Sequence, residues 1–509
     1  MRPYFESAPH GYCRLFAPLE LNEPDRRDAL VALGGAMLDV GKVDSSVLDS
    51  GYTYFGQFID HDLTMMDPLP VPFWRRIWRL LFGTKTGIQA VSVRRDLRNL
   101  QTPRLDLSHL YGGGPFDSDS KRLYSGVRLK VGNRGSSGRS FDVRVDETTG
   151  EPIVADSRSR ENLMIRQMVA VFSRLHNAAV EQWQSKISDP KELFEQARKQ
   201  TVWQFQYLVV QDYLRKILDS TVFTKVFEEG NPCFEWRTTF SIPVEFVVAA
   251  FRFGHSMVRP SYIFSADANP PFEFGLDEIL GRAVQGCQLE DKWEIKWGCF
   301  FEGAAHVDQS TGHSDSILVH AQAIDTLVAK PLHELLEISI RLFPVSHLAL
   351  PITAIADNFK LPVRTLLRGE SMALSSGQKV AHRFGVTPLK ADALMTPRDP
   401  DHPHGQILQR AQLLKHTPLW YYILKESELS PSNGSRLGPV GSHIVAETIN
   451  AALRYDRTSY FWNPERLATC GWRTRNRVFS PPVWQIGNDQ LQIFTLMDLF
   501  RHASELPAD

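Results

Sequence analysis

The stretch Gly51 to Met66, GYTYFGQFIDHDLTMM, limits what this 509-residue chain can become more than any other segment. As a helix, it places Gln57, Asp60 and His61 at i, i+3 and i+4, on one face. Asp62 stands roughly 100° further round the cylinder and must address something else. One turn then offers an amide, a carboxylate and an imidazole to one pocket and a second carboxylate to another. A histidine between two aspartates is also common on surfaces, where it bonds only solvent. The pattern therefore becomes informative only if the rest of the chain supplies matching parts.

Composition narrows the field. An apolar fraction of 43% suffices for a large core, and 23% charged residues is ordinary for a soluble protein. A net charge of −1 gives no electrostatic case for a nucleic-acid partner. The five cysteines (Cys13, Cys233, Cys287, Cys299, Cys470) are scattered, odd in number and without a CxxC pair. This argues against a disulfide framework and against a thiolate zinc site. Glu6, Pro3 and Pro9 interrupt the N-terminus where a signal peptide needs an unbroken apolar run, and no uncharged run reaches the ~18 residues of a membrane span. The expectation is a soluble chain, cytoplasmic by default, with export by a route lacking a cleavable signal left open.

Residues 1–50 read as an N-terminal wrap and 51–509 as one domain, mostly α-helical with few short strands. A basic amphipathic insertion lies near 68–85, where Phe73 to Phe82 interleaves Trp74, Ile77, Trp78, Leu80 and Leu81 with Arg75, Arg76 and Arg79. That composition suits a peripheral membrane contact. It equally suits a surface helix with snorkelling arginines, the more economical reading.

Further on, TPRLDLSHLYGGG places Thr102, Arg104, Asp106 and Ser108 at even spacing. In an extended segment their hydroxyl, carbonyl and carboxylate oxygens converge, the hard-oxygen set that Ca²⁺ takes, and Asp62 could complete it. The alternative is a plain turn. Helical periodicity follows from Asp156, with Asp156 or Ser157 as N-cap and Arg158 and Glu161 at i and i+3 near its start. It continues over 191–219 and, flanked by prolines, over 243–260. His255 near the end of the last is a core histidine, and Gly254 beside it allows close approach to the backbone. Segments 376–384, 400–405 and 426–437 read as loops, and 441–454 as a helix.

Together these parts resemble the peroxidase–cyclooxygenase superfamily, the animal-type haem peroxidases. The resemblance rests on FGQFIDHDLT (Phe55–Thr64), TPRLDLSHLYG (Thr102–Gly112), DSRSRE (Asp156–Glu161) and FRFGH (Phe251–His255), in that order. RTLLRG at Arg364–Gly369 is similar to a fifth motif.

The resemblance implies haem b and Ca²⁺ as cofactors and a role for each residue. His255 would ligate haem iron, with Thr365 accepting its N–H. His61 would be the distal base, Arg158 would stabilise charge as the O–O bond breaks, and Gln57 would bond distal water or halide. Asp60 and Glu161 would form esters to haem, and Arg252 and Arg368 would pair with its propionates. Asp62, Thr102, the Arg104 carbonyl, Asp106 and Ser108 would hold calcium. The implied activity is reduction of H2O2 and oxidation of a halide, thiocyanate or phenolic donor through an oxoferryl intermediate.

Three departures from the family pattern bear on chemistry. Asn162 stands where myeloperoxidase has its haem-linked methionine, which favours a lactoperoxidase-like or bacterial type and disfavours chloride. Thr365 replaces the usual asparagine. Arg252 stands where the fatty-acid oxygenases keep a radical-forming tyrosine. A fatty-acid peroxygenase or dioxygenase and a non-catalytic adhesion protein of the same fold remain the alternatives. The sequence leaves the oligomeric state open.

Overall fold

A computed structural model describes residues 1–4, 11–19, 26–39, 41, 47–68, 97–132, 141–236, 240–284, 288–304, 314–335, 360–397, 403–462, 481–486, 489–502 and 506. The Trp/Arg-rich segment Phe73–Phe82 and His402 lie outside them. The chain is mainly helical, as its periodicity implied. Among the described residues the strands form five two-stranded pairings, with a few isolated bridges besides. No helix among these residues is long and apolar enough to cross a membrane.

The helices that frame the site are α1 (Arg26–Ala36), α2 (Gly51–Leu63), α3 (Leu163–Trp183), α4 (Pro190–Leu208), α5 (Val244–Val248), α6 (Leu361–Ser371), α7 (Leu419–Leu429) and α8 (Pro439–Tyr455). α2 is buried nearly all round, its polar His61 and Asp62 included. Phe55 and Phe58 lie within an aromatic cluster with Phe172 of α3 and Phe205 of α4, the Phe58–Phe172 ring centroids being 4.8 Å apart. Truncating Phe58 to alanine would cost about 3–5 kcal/mol, because a cavity would open between three helices. Gly56 is required by close approach, since a Cβ there would lie 2.4 Å from the Tyr213 hydroxyl.

The N-terminal segment is part of this core. β1 (Tyr12–Cys13) pairs in parallel with β2 (Ile242–Pro243), and Tyr12, Cys13, Leu15 and Phe16 are buried.

Several helical segments differ from the sequence expectation; the start of 426–437, expected as loop, is the end of α7, and the end of 400–405 opens a short helix, His404–Arg410. The helix expected from Asp156 is two elements: a 3-10 turn, Ser157–Arg160, capped by Asp156, and then α3, capped anew by Asn162. Asn162 Oδ1 accepts from the N–H groups of Met164 and Ile165, which restarts the helix. The helix expected over 243–260 breaks at Ala249 and continues as a 3-10 helix, Ala250–His255. Arg252 Nε donates to the Val247 carbonyl at 2.8 Å, taking the acceptor that an unbroken α-helix would offer to Phe251 N–H. Residues 377–384, expected as loop, are helical: Ser376 caps the N-terminus and Gly385, at φ 73°, ends it. His404 is buried with Nε2 on the Ala36 carbonyl at 2.9 Å, and this bond suffices to account for its place in the fold.

Candidate active site

α2 presents Gln57, Asp60 and His61 to one side, as its period requires. His61 is buried, and its Nδ1 has no hydrogen-bond partner among the described residues. Burial, with Arg158 and His109 nearby, holds its imidazole well below the usual histidine pKa. It is therefore neutral at physiological pH, the form a base needs.

Arg158 sits on the 3-10 turn Ser157–Arg160, and its guanidinium is fixed at three points. Nη1 donates to the Thr64 carbonyl at 2.7 Å, Nη2 to the His61 carbonyl at 2.9 Å, and Nε and Nη2 to the Asp156 carboxylate. Burial alone would lower the guanidinium pKa, but Asp156 outweighs it and raises it. Burial likewise acts to raise the Asp156 carboxyl, yet Arg158 holds it below the usual range. The pair is ionised, and its positive member stands beside His61.

In a 3-10 helix residues three apart eclipse, so Glu161, the C-cap of the turn, lies on the same side as Arg158. Burial raises the carboxyl pKa of both Asp60 and Glu161, and Arg158 opposes this in each case. Asp60 accepts from the Thr64 hydroxyl at 3.0 Å. Asn162 Nδ2 donates to Gln57 Oε1 at 3.3 Å, tying α3 to the α2 face.

His255 ends the 3-10 helix that packs on α2. Its ring meets Trp420 of α7 edge-on at 6.2 Å, and Trp420 Nε1 donates to the Arg252 carbonyl. Burial, then Arg252 and Arg364, push its pKa down to about 3, so the imidazole is neutral and ligand-competent. Its buried Nδ1 has no hydrogen-bond partner among the described residues. The expectation that Thr365 accepts this N–H is not met. Thr365 Oγ1 donates instead to the Leu361 carbonyl of its own helix at 2.9 Å, the usual option for a mid-helix threonine.

Arg252 and Arg368 lie within electrostatic reach of each other and of Arg364. Burial first, then Arg368, brings Arg252 down to about 10, and burial also lowers Arg368. None of the three makes an ion pair with a carboxylate among the described residues. Such a cluster is costly unless anionic groups join it.

On the other side of α2, Asp62 meets the Thr102–Ser108 segment. Its oxygens accept from Leu107 N–H at 3.0 Å, from the Ser108 hydroxyl at 3.4 Å and contact His109 Nδ1 at 3.1 Å. Asp106 Oδ1 accepts from the Thr102 hydroxyl and from Ser108 N–H, both at 3.1 Å. Burial and the neighbouring Asp62 push the Asp106 carboxyl up to about 6. Four of the five expected calcium ligands thus share one neighbourhood. The side chain of Arg104, expected to contribute only its carbonyl, points to Asp456 at 3.9 Å.

Sequence reasoning missed three residues. Tyr12 reaches the site from the N-terminal strand: it is fully buried, its hydroxyl has no hydrogen-bond partner among the described residues, and it feels Asp60, Arg368, Arg158 and Arg252. No motif marked it. Asp156 had been read only as a helix cap, although it also orients Arg158. His109 packs edge-on against Phe58 at 4.4 Å and lies beside both Asp62 and His61. Its place inside the Thr102–Gly112 motif was the available signal.

The donor set fits a haem. A neutral imidazole (His255) and a second on α2 (His61), each with Nδ1 unpartnered among the described residues, a buried guanidinium cluster without a direct ion pair there, and the Tyr12 hydroxyl are the groups such a cofactor would satisfy. A Cβ built at Gly254 meets no atom within 4 Å, so the backbone beside His255 is open to close approach.

Comparison with known proteins agrees. The animal haem peroxidase family matches residues 71–283. Human dual oxidase 2 is 26% identical over 238 residues, 43% of this chain and 14% of that protein. A peroxidase-like protein of Margaritifera margaritifera is 32% identical over 256 residues, 41% of this chain and 31% of that one. The chain thus spans from about a seventh to a third of the length of these curated relatives. Among solved structures, peroxidase A of Dictyostelium discoideum aligns over 93% of this chain and 91% of its own, with TM-score 0.54 and 15% identity. The fatty acid alpha-dioxygenase of Oryza sativa aligns over 90% and 77%, with TM-score 0.57 and 14% identity.

Proposed function

We propose that this chain, which matches the animal haem peroxidase family over residues 71–283, is a haem-dependent peroxidase that reduces H2O2 and oxidises a small anionic or phenolic donor. The observation that carries this reading is the neutral, buried His61 held beside the Arg158 guanidinium. A scaffold of the same fold has no need of that pair.

Bound haem would supply an iron centre that accepts the peroxide oxygen and passes oxidising equivalents to the donor. His255 is the imidazole that would ligate it, and Arg252 and Arg368, with the Tyr12 hydroxyl close by, would meet its propionates. His61 takes the proton from H2O2 as the peroxide binds and returns it to the departing water. Arg158, fixed by Asp156 and two carbonyls, holds positive charge where negative charge grows during O–O cleavage. Gln57, tethered by Asn162, offers its amide to distal water or to an incoming anion. Asp60 and Glu161 are the carboxyls that would form ester links to the haem periphery. Calcium, held by Asp62, Thr102, the Arg104 carbonyl, Asp106 and Ser108, would fix the Asp62 side of α2. Asn162 cannot form the sulfonium link a methionine could, and this favours bromide, iodide or thiocyanate over chloride as donor.

The alternative of the same superfamily is a fatty-acid oxygenase. The test is to supply the haem-loaded protein with H2O2 and iodide, thiocyanate or a phenol, and separately with a long-chain fatty acid and O2. Donor oxidation that falls at least ~100-fold in His61→Ala supports the peroxidase. O2 uptake driven by fatty acid, with no donor turnover, would replace it with the oxygenase.

A further inference from the structure

Away from this site, Cys233, His443 and Glu447 converge. His443 and Glu447 stand at i and i+4 on α8, hence on one face, and both are buried. Cys233 comes from the loop after the helical turn Thr224–Glu228 and is half-buried. Its Sγ lies 3.9 Å from His443 Nδ1, and the three ligand atoms all fall within 4.8 Å of one another.

We propose that Cys233, His443 and Glu447 form a binding site for a divalent cation of the zinc class. Thiolate, imidazole and carboxylate are the three donor types zinc takes, and His and Glu one helical turn apart present two of them together. Ligands sharing a tetrahedral zinc lie on the order of 3.5 Å apart. The sulfur–nitrogen separation is already close to that, and the widest pair must close by about 1 Å, within reach of a side-chain rotation.

The surroundings are preset for this. Glu447 is anchored from behind, Oε1 accepting from Cys233 N–H at 2.6 Å and Oε2 from Phe234 N–H at 3.1 Å, which leaves further lone pairs free. The His443 ring is stacked on Phe384 at 4.6 Å and 11°, so its plane is fixed. Burial, with Lys225 nearby, pushes His443 down to about 4, and Asp219 within electrostatic reach opposes this. Glu447 also lines a cavity of about 610 Å³ beside the site.

One group opposes a cation. Lys225 Nζ lies 3.5 Å from Cys233 Sγ. It is half-buried at the end of a flexible stem, so the ammonium can swing outward as the ion arrives. The thiol proton is then released to solvent and the thiolate takes its place on the metal. The absence of a CxxC pair does not count against such a site, because it needs only one thiolate.

The experiment is calorimetric titration of the haem-loaded full chain with zinc. The expected result is one equivalent per chain, with affinity falling at least tenfold in Cys233→Ser and in His443→Gln while melting temperature holds. A second reading needs no variant. Zinc, but not magnesium, should slow alkylation of Cys233 by iodoacetamide at least tenfold, mapped by peptide mass spectrometry. Unchanged affinity in both variants, or equal alkylation with and without zinc, would overturn the proposal. The readouts are zinc and thiol chemistry, so they stand apart from peroxide turnover.

Discussion

Arg158 Nη2 donates to the backbone carbonyl of His61 at 2.9 Å, so the cation and the base of the site are coupled through one hydrogen bond. The same guanidinium is clamped by Asp156. The positive charge beside His61 is thus fixed rather than free to follow solvent, and it helps keep the imidazole neutral.

From this follows a pH dependence. His61 sits well below the usual histidine pKa through burial and Arg158. A base with a lowered pKa stays unprotonated, and active, into acid. The second-order rate of reaction with H2O2 should therefore be flat from pH 8 to pH 5, measured by stopped flow. A loss of rate with a midpoint near 6.5 would mean that His61 titrates as an exposed histidine does.

The Asp60 and Glu161 carboxyls flank the Arg158 side of the site, and each is the proposed partner of a haem ester. Haem should resist extraction by acidified organic solvent from the unmutated protein and come away freely from Asp60→Ala/Glu161→Ala. Free extraction from the unmutated protein would remove the ester assignment.

Thr365 bonds its own helix, not His255. Thr365→Val should consequently leave the haem reduction potential within about 60 mV of the unmutated value, a tenfold change in the one-electron equilibrium. A larger shift in spectroelectrochemistry would show that the hydroxyl acts on the proximal imidazole after all.

Asp106, raised to about 6 by burial and by Asp62, gives the calcium proposal a sign. An unfolded aspartate ionises near ~4, so in chelator the folded state loses stability as pH rises from about 4 to 6. A cation between the two carboxylates removes that loss. Melting temperature in chelator should thus fall between pH 5 and pH 7, and calcium should restore it more at pH 7 than at pH 5. No calcium effect at either pH would contradict the site.

Much of this arrangement was legible because it follows from local periodicity. Helical spacing alone put Gln57, Asp60 and His61 on one face and Asp62 on another. The motif order marked Arg158, Glu161 and His255. What sequence could not supply was which of several local side-chain bonds would form, and what distant segments would bring to the site. The break at Ala249 depends on the Arg252 side chain reaching back to Val247, and the α3 start at Asn162 depends on a cap winning over continuous apolar periodicity. Tyr12 enters the site only because a two-residue strand pairs with Ile242–Pro243, some 230 residues away. The Thr365 hydroxyl had two acceptable partners, and only packing decided between them.

The most direct measurement is the absorption spectrum of purified protein, expressed with ample haem, before and within milliseconds of adding one equivalent of H2O2. The account predicts a strong Soret band that shifts on mixing in the unmutated protein and fails to shift on that timescale in His61→Ala. A chain without a Soret band, or one whose band ignores peroxide, would contradict it.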